Sequence, residues 1–391
     1  MKKVKRIVTL ALASLMSIAL FAGCSADKKE SLKTEEADFV VVGGGAAGLM
    51  SALELGGNGK VVLLEKMPAL GGTTIRSKGY LWSVDSKINK EANVGLSGEE
   101  LTKFYKDMAG EENFNDELFK KMVEVSGSTV DELVELGIPF SKTNFAGGTP
   151  NYPELQTLTV EGEGPALISA FNKLLKERNV EIRMESSAEE LIIENGEVKG
   201  VVVKKGDEKY NLKSQKVILS TGGFTRNEDM MDQYNNEFIN NIPFSGVGST
   251  GDGILMAEKA GAQLIGDGVL GIWGMNEKYG YVGDIGSLVR QTAFYINKDG
   301  NRFVNEKRYY AEVHNELNKL EDKHAYGLLD SRDEKLVENL EKGVSEGLVV
   351  KANTIEELAD LLKVNKDNLV GTVNKYNEAF NSGNDAEFGL K

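Results

Sequence analysis

Cysteine is nearly absent: Cys24 is the only one in 391 residues. The chain therefore builds no internal disulfide, no CxxCH haem attachment and no cysteine-ligated iron–sulfur cluster. Histidine is almost as scarce. His314 and His324 make up the whole complement, and neither stands at metal-ligand spacing from an acid or from the other. No metal is expected, with His314 on a helix and His324 just before a strand over 325–329. Positive charge is also in deficit, 46 Lys and Arg against 60 Asp and Glu for a net charge of −14. That balance argues against nucleic acid or an anionic lipid surface as a partner. Neither an internal repeat nor a low-complexity tract interrupts the chain.

Lys2, Lys3, Lys5 and Arg6 precede the apolar run Ile7 to Gly23, and Cys24 follows at once. This is the pattern of an export signal. Leu20-Phe21-Ala22-Gly23-Cys24 resembles a bacterial lipoprotein cleavage box, with Phe21 where leucine is usual. Cys24 is thus expected to carry lipid and to hold the protein outside the cytoplasm on the cell membrane. A plain transmembrane anchor is the alternative, because 17 apolar residues sit at the lower limit for spanning a bilayer. Residues 24–36 read as a polar tether. After residues 1–23, enough chain remains for two domains.

Residues 38–66 read as an apolar strand, the run Gly43-Gly44-Gly45-Ala46-Ala47-Gly48, a helix, a second apolar strand and then Glu65. These parts in this order form a dinucleotide-binding unit. Gly43 permits a tight turn out of the strand, Gly45 a close approach of backbone amides to a pyrophosphate, and Gly48 close packing of helix on strand. Glu65, 22 residues beyond Gly43, stands where a carboxylate meets ribose hydroxyls. Gly71-Gly72-Thr73-Thr74 follows the second strand, and its small residues and hydroxyls suit contacts to a bound cofactor.

Helical spacing of apolar residues marks 99–110, 116–136 and 165–178. The stretch 145–158 reads as irregular, either lining a substrate entrance or forming a plain surface loop. Residues 180–184 read as a strand, and 191–198 as a hairpin closed by Asn195-Gly196. The buried strand 217–219 runs into Ser220-Thr221-Gly222-Gly223, where backbone again comes close to another group. Thr250-Gly251-Asp252-Gly253 opens a helix over 254–260, with Asp252 in the position of an N-cap.

VVVGGGAAGL (40–49), VVLLEK (61–66), GGTT (71–74), VILSTGGF (217–224), TGDGILMAEKAGA (250–262) and NKDGNRFVNE (297–306) resemble, in order, the motifs of the fumarate reductase flavoprotein family. That family includes soluble fumarate reductases, urocanate reductases and flavin-dependent 3-ketosteroid dehydrogenases. The resemblance implies an α/β fold: a Rossmann-like FAD-binding domain, here 37–269, with an inserted α+β capping domain over 270–391. It implies FAD as cofactor, and adds Ala46, Ala47, Lys66, Gly79, Ala188 and Asp252 to the cofactor contacts. The activity implied is that of an enzyme, an oxidoreductase reducing or forming an activated C–C double bond in an unsaturated carboxylic acid or enone. With no relay of its own, the chain is expected to exchange electrons with a separate redox partner.

Two departures from the family pattern matter. Where fumarate reductases carry an arginine proton donor, this chain has Tyr310. Lys307-Arg308-Tyr309-Tyr310 resembles instead the steroid dehydrogenase branch, in which a tyrosine faces the flavin, so Tyr310 is the candidate acid, with Arg308 as its charged neighbour. Arg290, seven residues before Asn297 where the family has an eight-residue interval, is a further candidate. The second departure is that the segment by which the family's chain returns to the FAD domain has no counterpart before Lys391. A piece of a longer chain, or a second chain completing the site, is expected. A flavoprotein that only binds FAD or passes electrons is the alternative function.

Overall fold

The computed structural model describes residues 32–111, 114–146, 156–235, 243–265, 294–308, 310–332 and 334–390. In chain order the first unit runs β1 (Lys33–Val42), α1 (Ala46–Leu55), β2 (Val61–Leu64), a 3-10 turn (Thr74–Arg76) and β3 (Tyr80–Leu81). It continues with α2 (Lys87–Ala92), α3 (Gly98–Ala109), α4 (Asp116–Glu135), β4 (Phe140–Ala146), β5 (Thr157–Val160) and α5 (Glu163–Glu177). Then come β6 (Glu181–Arg183), β7 (Ser186–Glu194), β8 (Glu197–Lys205), β9 (Glu208–Leu219), α6 (Glu228–Asn235) and α7 (Asp252–Lys259).

A six-stranded sheet, in the order β6-β2-β1-β9-β8-β7, organises this unit. Strands β6, β2, β1 and β9 are parallel, and β7, β8 and β9 form an antiparallel meander. All four residues of β2 are buried, as expected of a parallel strand covered on both faces. The two faces follow the period of two along each strand. Val41 and Leu63 pack with Leu49 and Leu53 of α1 and with Phe171 and Leu175 of α5. Val40, Val42, Val62 and Leu64 pack on the opposite side with Val201, Leu212 and Met256. At the hairpin between β7 and β8, Asn195 and Gly196 both have positive φ, 55° and 79°, the geometry of a type I′ turn.

A three-stranded sheet, β3-β5-β4, has α2 against β4 and α5 against β5. Ser97 and Glu100 close a capping box on α3. Trp82 stacks on Phe119 with ring centroids 5.7 Å apart, which fastens the segment after β3 to α4.

The C-terminal unit comprises β10 (Phe294–Ile296), α8 (Tyr310–Asn318), β11 (Tyr326–Leu328), α9 (Glu334–Ser345), α10 (Ile355–Leu362) and α11 (Lys366–Ser382). Strands β10 and β11 pair antiparallel. Ile296, Leu328, Ala359 and Leu369 form a core of their own. His314 lies buried on α8, and His324 precedes β11.

Several expected boundaries move. β1 begins at Lys33, inside the expected tether, because residues 33–37 pair in parallel with 210–214 and Glu35 meets Arg183 at 2.9 Å. The expected irregular stretch is strand at both ends, Phe145 and Ala146 in β4 and Thr157 and Leu158 in β5, while residues 147–155 lie outside the described residues. The strand expected over 180–184 is the three-residue β6. The signal segment and Cys24 also lie outside the described residues; among those described, no helix is long and apolar enough to cross a membrane.

Candidate cofactor site

The site grows from the C-terminal ends of β1, β2 and β9, the edge at which parallel α/β sheets bind ligands. Ser220 donates its amide to the Val42 carbonyl and Gly43 its amide to the Leu64 carbonyl, both at 2.8 Å. Gly43 has φ 108°, and a Cβ there would stand 2.4 Å from the Ser220 carbonyl oxygen. A Cβ on Gly48 would stand 1.8 Å from the Gly43 carbonyl oxygen. Both glycines are therefore demanded by protein packing. Gly45 differs. Its backbone is extended, φ −81° and ψ 179°, and the nearest atom to a Cβ there is Thr74 Oγ1 at 4.0 Å. The space before Gly45 is left open by the protein.

Glu65 is buried at the end of β2. Its Oε2 accepts the Gly44 amide and its Oε1 the Met67 amide, both at 2.8 Å. An ionised carboxylate has about four lone-pair sites, so each oxygen keeps capacity for a ligand hydroxyl. Thr74 Oγ1 accepts the Ala46 amide at 3.2 Å, and Thr73 Oγ1 accepts the Gly246 amide at 3.0 Å. These bonds draw the GGTT loop against the glycine turn on one side and the 243–250 segment on the other.

Lys66 closes the far side, its Nζ donating to Asp252 Oδ2 at 2.6 Å and to the Thr250 hydroxyl. Asp252 is not the cap that its position suggested. The N-cap of α7 is Gly251, with no side-chain bond; the carboxylate sits in the first helical turn, where the dipole favours it, and is engaged by Lys66.

These elements enclose a cavity of about 260 Å³. Of the sequence candidates, Gly43, Gly45, Ala46, Ala47, Glu65, Lys66, Gly72, Thr73, Thr74, Ala188, Thr221, Gly222 and Asp252 line it. Gly48 lies behind the lining, against Gly43 and Ser220. Gly223 is occupied structurally, its carbonyl accepting the Gly251 amide at 3.0 Å. Gly79 lies elsewhere: it has φ 65°, and a Cβ there would stand 3.1 Å from Val160 Cβ. Sequence reading missed Ser186, Ser187, Gly248 and Ser249, which also line the cavity; small residues at the start of β7 and directly before Thr250-Gly251-Asp252 were the available signal. The open space at Gly45, the half-used Glu65 carboxylate and the helix N-terminus at Ala46 fit the adenosine and pyrophosphate parts of a flavin dinucleotide.

Of the candidate chemistry residues, Arg308 and Tyr310 lie in the C-terminal unit. Tyr310 is the first residue of α8, but its side chain and Arg290 are outside the described residues. Arg308 is exposed and only 3.6 Å from Glu312. Lys307, which sequence reading had not singled out, is half-buried; desolvation holds its ammonium below the usual range, against the opposing pull of Glu306. Behind these residues lies a buried ionic cluster. Arg302 meets Glu306 at 2.9 Å and Asp385 at 2.8 Å, and the Tyr376 hydroxyl donates to Glu306 at 3.0 Å. Burial works against the Asp385 charge, but Arg302 and the Phe388 and Leu390 amides outweigh it and hold that carboxyl below its usual range.

The model of a family described as "FAD binding domain" matches residues 38–389. The NADH:fumarate oxidoreductase of Klebsiella pneumoniae (strain 342) is 26% identical over 356 residues, covering 90% of this chain and 38% of that protein. The cytochrome-type fumarate reductase of Shewanella frigidimarina is 28% identical over 357 residues, covering 90% of this chain and 62% of that protein. The chain thus spans less than two thirds of either relative. Among solved structures, the 3-ketosteroid-Δ4-(5α)-dehydrogenase of Rhodococcus jostii RHA1, in complex with 4-androstene-3,17-dione, has a TM-score of 0.75 at 21% identity, covering 94% of this chain and 81% of that one. That likeness shows a shared fold, a mixed α/β flavoprotein fold with a parallel sheet. With the family model spanning nearly the whole folded chain and the glycine turn, Glu65 and open cavity in place, the chain belongs to the FAD binding domain family.

Proposed function

We propose that this protein is an FAD-dependent oxidoreductase that reduces, or forms, an activated C–C double bond in an unsaturated carboxylic acid or an enone. Bound FAD supplies hydride exchange with one carbon of that bond. The chain's residues have two tasks. Gly45, Glu65, Lys66 and Asp252 hold the nucleotide, and the segment 307–310 delivers a proton to the second carbon, with Tyr310 as donor and Arg308 as its cationic neighbour; Arg290 is the second candidate for the donor. A phenol has an ordinary pKa near 10, so it donates without first being protonated from solvent. The capping domain that carries this segment begins near Leu270. Electrons pass between the cofactor and a separate redox partner, and the protein sits outside the cytoplasm on a lipid attached at Cys24.

The observation that carries this reading is the cavity whose glycine turn is blocked by protein atoms at Gly43 and Gly48 but open at Gly45. Names of the relatives support the substrate class: one is a fumarate reductase, and the steroid enzyme's structure holds 4-androstene-3,17-dione, an enone. The purified chain, loaded with FAD and photoreduced without oxygen, is to be mixed with fumarate, acrylate, urocanate and an unsaturated 3-ketosteroid (an enone). Reoxidation of the flavin by at least one of them is expected. Stable FAD binding with no reoxidation by any alkene favours the second reading, a flavin-binding electron-transfer component; a folded chain that takes up no FAD refutes both.

A further inference from the structure

The segment that follows β10 is held from behind by groups that the proposed chemistry does not use. Arg302 lies between the rings of Tyr376 and Phe388, 5.0 and 4.7 Å from their centroids, and its ion pairs reach Glu306 and Asp385. Asp385 accepts the amides of Phe388 and Leu390 at 3.1 Å. Residues 385–390 are therefore wound around a carboxylate that Arg302 fixes, and they form a strap across the 302–306 segment.

One side chain transmits this fixation to the residues ahead of α8. Asn305 is buried, and it donates Nδ2 to the Phe388 carbonyl at 3.2 Å. Its Oδ1 accepts the Lys307 amide at 3.0 Å, and its own carbonyl accepts the Arg308 amide at 3.2 Å. The task needs a donor and an acceptor on one short side chain, which an amide provides and a carboxylate or methyl does not. Asn305 thus joins the strap to the backbone of two cationic residues. Arg308 itself is loosely paired, so the precision of its placement rests on that backbone. Groups that act on a ligand are held to productive geometry by neighbours of this kind.

We propose that Asn305 is a positioning residue for hydrogen transfer, fixing the backbone of Lys307 and Arg308 by tying it to the strap at 385–390. The proposal rests on the oxidoreductase reading above, and its test keeps the two apart. Asn305→Ala and, as a control inside the same cluster but outside this link, Tyr376→Phe are to be prepared in the full chain with FAD. Amide exchange is followed at residues 305–308, and reoxidation of the photoreduced flavin is timed with an alkene and with ferricyanide, which needs no proton donor.

In Asn305→Ala, exchange at 307 and 308 should rise about tenfold or more, and alkene reoxidation should fall at least about tenfold. Ferricyanide reoxidation and FAD content should stay at wild-type levels. Tyr376→Phe should lower the melting temperature while leaving exchange at 307 and 308 near wild type. Unchanged exchange in Asn305→Ala overturns the positioning role. So does a parallel fall of the alkene and ferricyanide rates, which marks general damage. A wild type inert to every alkene, with exchange responding as expected, removes the reaction reading and this role with it, while leaving the mechanical link standing.

Discussion

Gly45 separates a ligand requirement from a folding requirement, because its neighbours in the same turn do not. At φ −81° and ψ 179° an L-residue meets no backbone strain. Replacing glycine at such a site stabilises by about 0.4–1 kcal/mol through the unfolded chain. Gly45 is also the N-cap of α1, where a residue without a polar side chain costs a similar amount. The two effects cancel to within about 1 kcal/mol, so apo Gly45→Val should melt within a few degrees of wild type. Cofactor binding should suffer far more. The two methyl groups enter the open space of the cavity and keep a pyrophosphate from the turn's amides; each charge-assisted bond lost is worth about 1.5–3 kcal/mol. FAD affinity should fall about 10- to 100-fold for one bond. Gly48→Ala should behave oppositely, since its Cβ would stand 1.8 Å from the Gly43 carbonyl oxygen: fold and cofactor are lost together. Fluorescence titration with FAD and thermal melting of the apo proteins distinguish the two. Wild-type FAD affinity in Gly45→Val, or a melting temperature as low as that of Gly48→Ala, refutes the reasoning.

Alkaline stability should depend on Tyr376, whose phenol is pushed up to about 12 by burial and then by Glu306. A raised folded pKa means that the protonated phenol stabilises the fold fully below its ordinary value near 10, and that this contribution is lost as pH rises toward about 12. Two units correspond to at most about 2.7 kcal/mol, and half-burial reduces this to roughly 1 kcal/mol; denaturant titrations at pH 9 and pH 11.5 should show that loss in wild type and not in Tyr376→Phe. Tyr310→Phe keeps the ring and removes the hydroxyl, so alkene turnover should fall about 10²–10⁴-fold at constant FAD content; unchanged turnover moves the proton-donor role to Arg308 or Arg290. Cys24→Ser should abolish incorporation of labelled fatty acid in an expressing bacterium, and label on the serine variant equal to wild type shows that Cys24 is not the anchor.

What was legible in the sequence was whatever short-range sterics dictate. The turn at 43–48 could be read because Gly43 and Gly48 answer constraints within a few residues or at the adjoining strand, and β2 because a strand buried on both faces must be apolar throughout. The features that the local pattern leaves out share a different cause. Lys33 to Glu36 look like tether because what holds them in the sheet lies far along the chain, Arg183 against Glu35 and residues 210–214 against the backbone. Asp252 looks like a cap because Lys66, 186 positions earlier, is not visible from the local pattern. Gly79, given as a cofactor contact by the family resemblance, is required by its own φ of 65° and by packing against Val160, so the glycine alone does not distinguish a neighbour from a cofactor. The C-terminal unit follows the same rule. Nothing in the run 302–308 announces that Asn305 reaches Phe388, 83 positions on, yet that reach decides where the backbone of Lys307 and Arg308 stands. Cofactor choice is therefore written locally, in glycines and strand ends. The placement of the proposed proton-donor segment rests on long-range polar contacts, and substitutions there should alter turnover before they alter FAD binding.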